Sequence, residues 1–345
     1  MQARSHPYIK AKGSSLDIAS TRCARSRLLR HRVASTPPEA VQRQSLVEQL
    51  RHITQDGTGL ELLLQRANLQ GDLPERPPLL FVHGSYHAAW CWADHFLPYF
   101  AARGFNSYAV SLRAQGNSDC VSQDKGGPIQ VAGTLDSHAA DLADLISNFP
   151  QPPVVVGHSF GGLILQRYVQ LMAARPGEAG LPPLAGTAFL ACVPPSGNKS
   201  MVLRFLLRDP ILSLKVTWGF VARSFIKDVK ACRELFFSPD LPDADLARHH
   251  AQLATCSPVR LMDLADVNKQ VPLPPPPSFA PPAFVLGGAD DKVVDVEAIQ
   301  ELAASYGVEP IILPNMAHDV MLDTRWEQVA ERLAAWLDTL SEHQS

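Results

Sequence analysis

Gly157-His158-Ser159-Phe160-Gly161 has the form G-x-S-x-G and stands between a β-branched run, Val154-Val155-Val156, and a stretch with helical spacing. A strand–turn–helix of this kind throws its central side chain out of a tight bend, and the small residues on either side let the backbone close. Peptide dipoles at the start of the following helix favour negative charge developing there. By chance the three fixed positions occur in about one chain of this length in ten, so the context gives the match its weight. A serine hydroxyl is a poor nucleophile at neutral pH and needs a base, which needs an acid to orient it. In the chain order Ser…Asp…His, the acid follows a later strand and the histidine follows the last one. Gly288-Ala289-Asp290-Asp291-Lys292 and Asn315-Met316-Ala317-His318-Asp319 occupy those places. Asp291 fits the spacing between Gly288 and Val294 better than Asp290, which stays the alternative, and His318 is the candidate base.

Attack by Ser159 on a carbonyl would leave an oxyanion needing two N–H donors. The residue after the nucleophile, Phe160, supplies one backbone candidate. The segment His83-Gly84-Ser85-Tyr86 supplies the other, Ser85 first and Tyr86 second, with His83 expected to brace that loop through its ring. Chemistry of this type requires neither metal nor cofactor. Asp136, Asp141 and Asp144 with His138 are expected to be a solvated helix face rather than metal ligands, and His249-His250 to be exposed.

The elements that must position these residues alternate strand and helix. Leu60, Leu62 and Leu64 alternate as a half-buried strand does. Leu79-Val82, 108–112, Pro153-Val156, Ala188-Cys192, 283–287 and 311–313 read as further strands, and 89–103, 134–148, 160–174, 295–306 and 322–340 as helices. Residues 197–270 break the rhythm and read as several helices with no strand, followed by a Pro-rich connector over 271–282. The economical solution is an α/β protein: a mostly parallel central sheet flanked by helices, built from 57–196 and 283–341, with a helical cap inserted at 197–270.

The chain has 345 residues, 46% of them hydrophobic, and a formal charge of −3, which argues against a nucleic-acid partner. Residues 1–38 depart from the rest, with eight Lys/Arg against the single acid Asp17 and many Ser and Ala. That is the composition of an organelle transit peptide, with cleavage expected near Val33-Ala34-Ser35. The six cysteines have no C-x-x-C or other metal-ligand spacing, which suits a reducing compartment.

His83-Gly84, the segment around Ser159, Asp291 and His318 resemble the α/β-hydrolase superfamily over about residues 57–340. Arg113-Ala114-Gln115-Gly116-Asn117-Ser118 also looks like that group's R-G-x-G-x-S loop, with Ala replacing its first Gly. Leu80 to Trp92, Ser107 to Leu112, Val193-Pro194-Pro195-Ser196-Gly197-Asn198 and Ala317-His318-Asp319-Val320-Met321-Leu322-Asp323 are similar to the chlorophyll dephytylases of plants and algae. The resemblance implies hydrolysis of the phytyl ester of chlorophyll, or of a related phytylated pigment such as pheophytin. It also implies a chloroplast location and peripheral contact with the thylakoid membrane. Tyr86, His158, Phe205 and Trp218 are the side chains then expected to touch substrate, the last two from an apolar cap segment spanning 201–226. The stretch H-G-x-x-H-x-A-W-x-W is shared with hydroxynitrile lyases and methylesterases. The lyases carry lysine directly after the catalytic histidine, where this chain has Asp319, so a small-ester esterase is the alternative. A non-catalytic receptor on the same scaffold is a third possibility, against which all three triad candidates are present.

Overall fold

The computed structural model describes residues 47–68, 76–120, 130–172 and 180–342; the expected transit segment 1–38 lies outside them. Ten strands are present in the described residues: β1 (Glu48–Ile53), β2 (Gly59–Gln65), β3 (Leu79–Val82), β4 (Ser107–Val110), β5 (Val131–Gly133), β6 (Val154–His158), β7 (Gly186–Leu190), β8 (Arg260–Met262), β9 (Ala283–Gly288) and β10 (Ile311–Leu313). Eight form one sheet in the order β1-β2-β4-β3-β6-β7-β9-β10. The β1–β2 and β2–β4 pairs are antiparallel and all others in this sheet are parallel.

The central strands are apolar throughout because helices cover both faces of the sheet. Successive side chains therefore feed two cores. Phe81, Val154, Val156, Leu190 and Leu286 point into one. Leu80, Val82, Val155, Phe189 and Val285 point into the other. The expected single helix over 89–103 is two short ones, Trp90–Ala93 and Phe96–Ala101. Pro98 has no N–H to bond the carbonyl of Asp94, so one continuous helix cannot run through it.

The helix Leu135–Ile146 starts on a reciprocal cap between Thr134 and Ser137. Its polar side chains are not all solvated. Arg113 clasps Asp141 with both arms, and the buried His138 ring is bonded to the carbonyl of Leu261 at 2.9 Å. The insertion also differs from expectation. After the helices Asn198–Arg208, Pro210–Val221, Val229–Phe236 and Asp243–Leu253, strand β8 pairs in parallel with β5. At three residues each, both strands are too short to show a period in sequence. The Pro-rich connector runs back along the core: Gln170 donates to the Pro274 carbonyl at 2.8 Å, and Thr187 N–H donates to that of Pro282 at 2.9 Å.

Candidate functional site

The site assembles at the carboxyl ends of β3, β6, β9 and β10, the edge at which open α/β sheets bind ligands. Strand β6 ends at His158 and the helix Phe160–Met172 begins two residues later, leaving Ser159 alone at the bend with φ 52°. Left-handed backbone at a non-glycine residue is strained, as a nucleophile elbow requires. Two glycines let neighbouring chain approach it. A Cβ on Gly84 would lie 2.6 Å from Ser159 Cβ, and one on Gly161 would lie 2.6 Å from the His83 carbonyl oxygen.

Asp291 is buried in the loop after β9. Its Oδ1 accepts from the N–H groups of Val293 at 2.7 Å and Val294 at 2.9 Å, which fixes the carboxylate. Its Oδ2 meets His318 Nδ1 at 2.8 Å. Asp290, the alternative, is exposed, and it is Asp291 that meets His318. Burial opposes charge on His318, but the Asp291 carboxylate, through its charge and hydrogen bond, outweighs it with help from Asp319. The imidazole is held above its ordinary value. With Nδ1 engaged, Nε2 is the nitrogen available to Ser159. Both residues line one cavity, and no hydrogen bond joins them among the described residues. Such contacts commonly close only when substrate arrives.

The N–H groups of Phe160 and Ser85 donate to no protein acceptor among the described residues, and both residues line the cavity. His83 braces their surroundings as expected: its Nε2 accepts from Leu112 N–H at 3.0 Å, so the Nδ1 proton goes to the Gly84 carbonyl at 2.7 Å. Complete burial lowers this histidine to about 3, which keeps it neutral. Tyr86, with φ 68°, also lines the cavity. Its ring stacks on Phe220 and its hydroxyl donates to the Phe220 carbonyl at 3.2 Å, tying the oxyanion loop to the cap.

Two expected substrate contacts fall elsewhere. His158 is fully buried behind the site, where its Nε2 donates to the carbonyl of His318 at 3.0 Å. Burial, with the His318 charge adding to it, lowers its pKa to about 3. Trp218 is 69% exposed on the outer side of its helix and does not line the cavity, whereas Phe205 does.

Sequence reasoning missed a second buried His–Asp pair. His87 Nε2 meets Asp319 Oδ2 at 2.9 Å and its Nδ1 meets the Ser85 carbonyl at 2.9 Å, with side chains 1% and 0% exposed. Both ring nitrogens thus face oxygen atoms of fixed groups, which holds the imidazole between the loop after β3 and the His318 segment. Burial works to raise Asp319, but His87, helped by His158 and His318, more than offsets it and the carboxyl is held below its ordinary value. Asp323 in the same segment accepts from Ala317 N–H and from both the N–H and the hydroxyl of Ser238, holding the His318 loop from behind. The signal for both acids was their place in the Ala317–Asp323 stretch. Donor atoms of His158, His318 and Asp319 lie within 4.8 Å of one another. One atom of each is engaged, His158 Nε2 with the His318 carbonyl, His318 Nδ1 with Asp291 and Asp319 Oδ2 with His87, while His158 Nδ1 and Asp319 Oδ1 have no partner among the described residues.

Over this floor the cap encloses a cavity of about 550 Å³ whose walls are mainly apolar, with Met201, Phe205, Val216 and Phe220 from the cap helices. The sequence profile of the alpha/beta hydrolase family matches residues 79–332, and the chain belongs to that family. Methylesterase 1 of Arabidopsis thaliana is 38% identical over 88 residues, 25% of this chain and 31% of that protein, so the match spans about a third of the relative's length. Among solved structures, a bacterial membrane phospholipase A is similar with TM-score 0.59 at 19% identity, covering 86% of this chain and 87% of the other. The esterase RhEst1 from Rhodococcus sp. ECU1013 is similar with TM-score 0.57 at 18% identity, covering 85% and 99%. At these identities the likeness is one of fold.

Proposed function

We propose that this protein is a serine carboxylic-ester hydrolase whose substrate is the phytyl ester of chlorophyll or of a closely related pigment. The observation that carries the reading is the Asp291–His318 pair and Ser159 opening together onto a mainly apolar cavity of about 550 Å³. A long isoprenoid alcohol would fill such a space while a large ring waits at the mouth. Ser159 Oγ attacks the ester carbonyl as His318 Nε2 takes its proton, and the N–H groups of Phe160 and Ser85 receive the oxyanion. The alcohol leaves with the proton from His318. Water then adds to the acyl-enzyme, giving a proton to His318, and the carboxylic acid departs as Ser159 regains its hydrogen.

Asp319 stands where the lyases carry lysine, is tied to His87 and is absent from the cavity wall, which favours hydrolysis. The similarity to Methylesterase 1 over 88 residues supports a second reading, a small-ester esterase. The composition of residues 1–38 supports delivery to an organelle, and the resemblance to chlorophyll dephytylases makes the chloroplast the proposed one. Detergent-solubilised chlorophyll a incubated with the protein should yield chlorophyllide by chromatography, and Ser159→Ala should yield none. Hydrolysis of short p-nitrophenyl esters without chlorophyllide would replace the pigment reading with the small-ester one.

A further inference from the structure

The helix Pro210–Val221 is apolar on two opposite sides. Ser213, Val216 and Phe220, at helical spacing, line the cavity. Ile211, Leu214, Trp218 and Val221 form the outer stripe, each at least 65% exposed. On the preceding helix Leu203 and Leu207, one turn apart, continue that surface. Of the fourteen exposed large hydrophobics among the described residues, eight fall within 202–221, a concentration that folding alone does not require. Val202 and Val221 belong both to this surface and to the cavity wall, so the cavity opens at the patch.

The surrounding charge is one-sided. Residues 198–230 hold seven Lys/Arg against Asp209 and Asp228, in a chain whose overall charge is −3. Arg204 and Arg208 pair with Asp295 and Glu297, and Lys215 with Glu234. Lys199, Lys227 and Lys230 have no carboxylate partner among the described residues, and Arg223 reaches the carbonyls of Ser257 and Pro258 and the Tyr86 ring but no carboxylate. This fringe selects the occupant. A second copy would set like charge against like, and the chain's own N-terminal segment, with eight Lys/Arg against one acid, is mismatched in the same way.

We propose that the outer face of the helices Asn198–Arg208 and Pro210–Val221 docks on an anionic lipid surface, sinking the Ile211–Val221 stripe among the acyl chains and presenting the cavity mouth to substrate dissolved there. The proposal rests on the reading of an ester hydrolase with an apolar substrate and adds the phase from which that substrate is taken. The full chain is floated with phosphatidylcholine vesicles, with and without phosphatidylglycerol, beside its Ile211→Ser/Leu214→Ser variant. The protein should float with the anionic vesicles, and the variant, which keeps the basic N-terminal segment, should bind at least about tenfold more weakly. Brominated acyl chains should quench emission from the protein but not the same component in Trp218→Phe. Both variants should hydrolyse soluble p-nitrophenyl acetate as the parent does. Failure to float, equal flotation of the variant, or a lipid-free dimer abolished by the same substitutions would overturn the proposal. Flotation without any nitrophenyl ester hydrolysis would sink the hydrolase reading and leave the docking face standing.

Discussion

Asp319→Ala puts the brace between the two sides of the site to a quantitative test. The Asp319 carboxylate is wholly buried at 2.9 Å from His87, whose other nitrogen is spent on the Ser85 carbonyl at 2.9 Å. Alanine leaves the buried His87 Nε2 without its partner. Removing one partner of such a pair costs about 3–5 kcal/mol. Asparagine differs, because its amide N–H can donate to the Nε2 of a neutral His87, and the loss should stay near about 1–2 kcal/mol. The kinetic consequence follows from Ser85. His87 holds the carbonyl of the residue whose N–H is assigned to the oxyanion, and losing one such donor lowers kcat by about 10²–10³. Urea unfolding followed by circular dichroism gives the stability, and p-nitrophenyl ester kinetics give kcat. Replacing both partners, His87→Phe with Asp319→Leu, should recover much of the stability but not the rate, which separates positioning from folding. The argument fails if Asp319→Ala unfolds within about 1 kcal/mol of the parent, or if asparagine does as much damage as alanine.

Asp291→Asn should lower kcat by about 10³–10⁴ by stabilising the wrong tautomer of His318, whereas Asp290→Asn should leave it unchanged in the same nitrophenyl assay. The base acts in its neutral form and is held above the ordinary histidine value of 6.5, so kcat/KM should fall on the acid side from a pH above 6.5. Removing the Asp291 charge should move that limb downward. The same raised pKa stabilises the fold fully below the unfolded value and loses that contribution as pH rises through the folded one. Asp319, held low, contributes at neutral pH and loses its share as the solution is acidified below the ordinary carboxylate range. Gly84→Ala should leave a folded protein with kcat down about 100-fold or more, since its Cβ would sit 2.6 Å from that of Ser159. A variant with parental kcat would show that the loop has slack.

The sheet was legible because its central strands are buried on both faces and so appear as unbroken apolar runs, Leu79–Val82 and Val154–Val156 above all. Ser159, Asp291 and His318 were legible because each follows such a run at a strand's carboxyl end. What escaped depends on contacts distant in sequence. His87 and Asp319 are 232 positions apart, and nothing local to either announces the other. The acids and histidine of the helix Leu135–Ile146 look solvated until Arg113 and the Leu261 carbonyl arrive from elsewhere. Trp218 shows a different limit. A helix apolar on two opposite sides has no single stripe from which to choose its inner face, so Trp218 and Phe220 were indistinguishable in sequence although one faces solvent and the other the cavity.

Four histidines crowd the floor of this site, and their environments give them different work. His83 and His158 are lowered to about 3 by burial and stay neutral at any ordinary pH, each holding a backbone loop through fixed tautomers. His87 is committed at both nitrogens, to a carbonyl and to a carboxylate. Only His318 combines a carboxylate at Nδ1 with a raised pKa and a place on the cavity wall. The fold thus uses three histidines as struts and leaves one on the cavity wall as the proposed base. The struts matter to the chemistry all the same. They join the loops after β3, β6 and β10 to one another, so the oxyanion donors, the nucleophile and the base cannot drift independently. Preorganisation at the Ångström level is where most of the rate of such a site is set.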